Sequence, residues 1–192
     1  MSLDSSSLKS DIENIFDSQP ESTGEFASEL ASAIISYLGD VTISYPSAPG
    51  ISPAPPYTDP SFVGTSMDPV VPPDSMLATL ESGINASIAA SNTDSATDSD
   101  WSSADSAYSS VLQSIGASWQ SSDGYMATGG TVASKTVGFD SSWDVGVNGG
   151  STSDVAQDLS DRIHSATTAA VFTGAYVKGA FVGPAPHVSN LS

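Results

Sequence analysis

The sequence predicts an α+β chain, with several amphipathic helices, short β-strands or hairpins, and an extended proline-rich arm. Three observations carry this class. Large apolar residues recur every four positions in several stretches, which is the spacing of one helical face. Short β-branched, alternating runs follow two of those stretches and read as strands. Nine of the 28 residues from Pro46 to Pro73 are proline, and no further proline occurs until Pro184.

The elements follow in order. Residues 3–17 place Leu8, Ile12, Ile15 and Phe16 at helical spacing, and Pro20 breaks the run. The next segment sets Phe26, Leu30, Ile34 and Leu38 at i+4 intervals. Ser22 or Thr23 suits its N-cap, Glu25 and Glu29 suit its positive end, and Gly39 suits its stop. Residues 41–45, VTISY, alternate as a short strand. In the arm, proline fixes its own φ and cannot donate to a sheet ladder, so the backbone is extended. Ile51, Tyr57, Phe62, Val63, Met67, Val70 and Val71 are too apolar for a solvated tether, although a flexible linker is the alternative. Tyr57, Phe62, Val63, Val70 and Val71 are the arm's candidate interaction residues.

A helix beginning near Asp74 carries Leu77, Leu80, Ile84 and Ile88 on one face. After the polar run 91–100, a second helix carries Trp101, Ala104, Tyr108, Val111, Leu112, Ile115 and Trp119, and the two make a candidate helical hairpin. Residues 121–150 are Gly-rich, and Phe139, Trp143, Val145 and Val147 suggest a hairpin or irregular β region. The last unit repeats i+4 spacing at Val155, Leu159 and Ile163, turns β-like over 169–182, and ends among Pro184 and Pro186. Its helix aligns with the early one at an offset of 129, with acids before the first two apolar residues in both copies. A duplication gives that match, and so does any capped amphipathic helix feeding a strand. The domain reading is residues 1–45, helices and strand; 46–73, the arm; and 74–192, which joins 1–45 in one compact domain.

Charge narrows the function classes. The 22 acids face 4 bases for a net charge of −18, and 17 of the acids are Asp. Such a chain repels a nucleic-acid backbone. It also repels itself in dilute buffer, whereas molar salt shortens the Debye length to about 3 Å and screens most of that repulsion. Scarce Lys with abundant acid therefore favours a salt-loving source. The absence of Cys excludes disulfide staples and thiolate metal sites. No run of 18 apolar residues predicts a membrane span. Met1 to Ser10 lacks a basic stretch followed by an apolar core, so no signal peptide is expected.

Chemistry is sparse. His164 lies three residues after Asp161 on a predicted helix; a base is conceivable there, but a boundary histidine is the simpler reading. No hydrolase elbow, phosphate loop or zinc-protease motif occurs, so no catalytic or cofactor-binding residue is assigned. Asp94, Asp98 and Asp100, with Asp105 beyond, form a weak hard-cation candidate that lacks the glycine and terminal glutamate of a calcium loop. Asn85-Ala86-Ser87 and Asn190-Leu191-Ser192 match the glycosylation triplet. Trp101, Tyr108 and Trp119 could form a sugar platform, but their helical spacing fits a packed face better.

The segments FASELASAIISYLGDVTIS, VAQDLSDRIHSATTAAVFTG and VGPAPHVSNLS resemble small virion structural proteins of tailed viruses. The resemblance covers about a third of the chain. It implies a non-enzymatic particle component, located in the virion and in host cytoplasm during assembly. The excess acid departs from bacteriophage members and points to a virus of haloarchaea. The implied role is a capsid decoration or cement subunit, with a tail or baseplate accessory protein as the alternative. The implied partners are other virion proteins and copies of itself in a homo-oligomer, with no nucleic acid, membrane or cofactor. The rival from another class is a secreted glycan- or surface-binding module using the aromatic residues and the Asp cluster.

Overall fold

In a computed structural model, the described residues are 3–41, 43–44, 66–69, 73–91, 98–115, 118–120, 125–133, 136–140, 151–178 and 185–191. Helix α1 (Ser5–Ser18) starts where the Asp4 carboxylate accepts the Ser6 N–H at 2.9 Å, and it buries Leu8, Ile12 and Ile15. Helix α2 (Thr23–Leu38) starts at Ser22, whose hydroxyl accepts the Glu25 N–H at 3.1 Å. Gly39 closes it by donating to Ile35 and Ser36 carbonyls. Helices α3 (Pro73–Ser91) and α4 (Ser102–Ile115) follow, with a 3-10 turn (Asp98–Trp101) leading into α4. Helix α5 (Thr152–Ala169) opens on a full capping box between Ser151 and Asp154.

Helix α1 packs against both α2 and α5, α2 packs against α3, and α3 packs against α4. One continuous apolar cluster runs through all five helices. The α3–α4 contact depends on a missing side chain. A Cβ on Gly83 would collide with Ala107 Cβ and lie 2.8 Å from the Ser103 carbonyl oxygen, so only glycine allows this approach. One turn away, buried Ser87 accepts the Ala104 N–H at 3.0 Å, satisfying a donor near the start of α4.

The expected α+β class is corrected here. Most of the described residues lie in five helices, so the described structure is mostly helical rather than α+β. The physical reason is where apolar surface is buried. Outside the helices and the 3-10 turn, the described buried apolar residues are Leu3, Val41, Val137, Phe139, Ala170 and Leu191. Short extended segments do pair, as an antiparallel backbone ladder in chain order: Ile43–Ser44, Ser66–Pro69, Ser118–Gln120, Tyr125–Ala133, Val171–Lys178 and Ala185–Asn190. Its longest pairing, Tyr125–Ala133 with Val171–Lys178, slips register between Thr128 and Thr131, where Gly129 and Gly130 stand opposite Gly174. Alternation in the sequence marked extended backbone, while the buried apolar residues that are described lie mostly in the helices.

Candidate functional site

The polar groups inside the body converge on α5. Its sequence sets Ile163 and Thr167 one turn apart on the buried face, with His164 at the boundary. From α2, the buried Tyr37 hydroxyl meets His164 Nδ1 at 2.7 Å. From α4, the fully buried Tyr108 hydroxyl meets Thr167 Oγ1 at 2.5 Å, while Thr167 donates to the Ile163 carbonyl at 2.7 Å. Burial raises the ionisation of both phenols well above the ordinary tyrosine range. For Tyr37 the neighbouring Tyr108 adds to that rise. Asp4, the N-cap of α1, is held below the usual carboxylate range by the Ser6 backbone and hydroxyl, with a smaller pull from His164.

A second polar group fastens residues 136–140 across α4 and α5. The Asp105 carboxylate on α4 accepts both the Val137 and Gly138 N–H groups, at 2.9 and 3.0 Å. Gly138 takes φ +74°, a left-handed conformation that glycine adopts without strain. From α5, Arg162 donates to the Gly138 carbonyl at 2.8 Å and to Asp140 at 2.7 Å, and its Nε pairs with Asp158 at 2.8 Å. The Asp140 bond, first, and then Asp158 raise the guanidinium above its ordinary value. Val137 and Phe139 are buried, and Phe139 sets its ring edge-on to Tyr108 at 6.4 Å.

What this arrangement does chemically is join helices. Tyrosine hydroxyls reach between elements, and each polar group named above has a bonded partner on another element or within its own helix. Among the described residues, open clefts lie beside this arrangement. One of about 470 Å³ runs between α1 and α2, with Asp11, Asn14 and Glu29 above Ile15 and Ala33. Another, about 390 Å³, follows α5 beside Thr136, Val137 and Arg162.

The residues singled out from sequence are distributed as follows. Arm residues Tyr57, Phe62, Val63, Val70 and Val71 lie outside the described residues, as does Asp94. Asp98 and Asp100 fall in the 3-10 turn, and Asp105 is spent on the 136–140 backbone. Among the described residues, no three His, Asp or Glu side chains are placed to hold a metal ion. Trp101 and Tyr108 are buried in the core. The triplet at Asn85 sits within α3 with the Ser87 hydroxyl buried and bonded, so the folded chain does not present it as a loop acceptor. The chain's second histidine, His187, pairs by backbone with Gly174. Among the described residues, no helix is long and apolar enough to cross a membrane.

Sequence reading missed Tyr37, Thr167, Arg162 and Gly83 as joining residues. Only Gly83 left a local signal, a glycine inside a helical stretch whose retention calls for a packing reason.

Comparison with family models gives no match, and comparisons with curated proteins and with solved structures give none either.

Proposed function

We propose that the chain is a non-catalytic structural subunit of a virion, a decoration or cement protein on the capsid of a tailed virus from a high-salt host. One observation supports it most. The groups with chemical capacity in the body — Tyr37, His164, Tyr108, Asp105 and Arg162 — are bonded to other parts of the same fold. The body is thus built for holding shape. Recognition falls to the parts of the proline-rich stretch 46–73 outside the paired Ser66–Pro69, whose sequence combines a stiff backbone with large apolar residues. A stiffened chain loses less entropy when laid on another surface. The −18 charge argues against a nucleic-acid role.

Quantitative mass spectrometry of purified particles tests this reading. The expected result is this chain in many copies per particle, with His164→Ala incorporated at the same level. Recovery of the chain only outside particles, or a hydrolytic activity that His164→Ala abolishes, contradicts it.

A further inference from the structure

We propose that residues 136–140 are a releasable strap, a conformational device that opens the seam between α4 and α5 while the helices stay folded. The strap crosses from Asp105 on α4 to Arg162 on α5, and it places Phe139 against Tyr108 at that seam. The helix-to-helix packing runs α5–α1–α2–α3–α4, so α4 and α5 are the two ends of the series. They meet through the Tyr108 hydroxyl and through this strap.

The fastening is strong in number and weak in kind. Two apolar side chains, Val137 and Phe139, are buried, against seven buried residues in α2 alone. The Arg162 pairs that hold it are polar and reached by solvent, and the Asp105 bonds are part-buried at Val137 and exposed at Gly138. The side chains of Arg162, Asp140 and Asp158 are 30%, 26% and 49% exposed, so water and salt compete for each pair. Segments with few buried apolar contacts and solvent-exposed bonds open locally, at free energies far below global unfolding. The strap fits that description, and the helices on either side do not. When it lifts, Phe139 leaves Tyr108 and the cleft along α5 widens at the Arg162 end.

Amide hydrogen exchange on the full chain in molar salt, read across a urea series, tests the device. The Val137 and Gly138 amides should exchange at least about tenfold faster than Leu30 or Ile163, with little urea dependence, since local opening exposes little surface. Arg162→Gln and Asp105→Ala should each speed those two amides by about a further tenfold and leave Leu30 unchanged. Should one variant fail to fold, the wild-type urea dependence and the other variant still decide. Val137 and Gly138 amides as slow as the helix interiors, released only with the full urea dependence of global unfolding, would overturn the proposal.

Discussion

Helices α2 and α5 are the same design carried out in two chemistries. Both start on a serine whose hydroxyl accepts the amide three residues on, Ser22 to Glu25 and Ser151 to Asp154. Both bury a leucine and an isoleucine at equivalent places, Leu30 with Leu159 and Ile34 with Ile163, each fully. Both lead through a buried residue, Val41 or Ala170, into an extended segment. They differ in their other buried residues. Helix α2 adds Ala27, Ala31, Ala33, Tyr37 and Leu38, while α5 adds Ser160 and Thr167 to its apolar set and carries Arg162 and His164. Apolar packing therefore places α2, whereas α5 is placed partly by directed bonds. Two helices of similar pattern can play different parts, one as filler and one as the hub that other elements bond.

The largest effect expected is from salt. Moving the protein from molar to about 0.1 M salt lengthens the Debye length to about 10 Å and restores repulsion among carboxylates. Exposed acids stand beside both helices, with Asp11, Glu25 and Asp40 near α2 and Asp154, Asp158 and Asp161 on α5. Circular dichroism should show one cooperative loss of helix, because α1 packs on both helices. Two separate steps would mean that the two units do not share a core, and an unchanged signal at low salt would remove the high-salt reading.

Next come the matched core positions. Ile34→Ala and Ile163→Ala should each cost about 2–5 kcal/mol in urea unfolding at molar salt, since both side chains are fully buried. A clearly smaller loss at Ile163 would show that directed bonds hold α5 independently of its apolar face.

The hydroxyls sharpen the contrast. Tyr108→Phe should cost about 1 kcal/mol, and Tyr37→Phe less, because half-buried His164 can turn to water while the Tyr108 site cannot. The same two phenols set an alkaline limit. Their folded ionisation lies above the ordinary value of 10.0, so they favour the fold below that pH, and their contribution is lost as pH rises above it. Ultraviolet titration should find two tyrosines that ionise only as helix is lost. Early ionisation of all six would contradict their burial.

The smallest effect is at the caps. Ser151→Ala and Ser22→Ala should each cost about 1 kcal/mol, with Ser151 the more costly because its hydroxyl also donates to the Asp154 carboxylate at 2.8 Å. The paired bonds hold the Asp154 carboxyl below its ordinary value of 3.8. That support is present above 3.8 and fades as pH falls through the lowered value, so the difference between the two variants should shrink in acid.

Repeated i+4 spacing made α1, α2, α3, α4 and α5 legible in the sequence, with the Ser22 cap adding to it at α2, because those signals are local. The class was not legible, since alternation at residues 41–45 and 169–182 reports extended backbone and says nothing of which layer buries the core. The joining residues were hidden for the same reason. Tyr37 lies 127 positions from His164, Tyr108 lies 59 from Thr167, and Asp105 lies 32 from Val137. No spacing rule reaches across such distances.

The proposal separates a helical body from a proline-rich stretch that would do the joining, although Ser66–Pro69 within that stretch also pairs with Ile43–Ser44 and Ser118–Gln120. Deleting residues 47–72 and following the protein by co-sedimentation with particles, with circular dichroism of the free chain, tests that separation most directly. The expected product is soluble and as helical as the parent, yet absent from the particle fraction and from its own oligomer. Incorporation of the shortened chain at full occupancy would contradict the account and leave residues 46–73 as a linker alone.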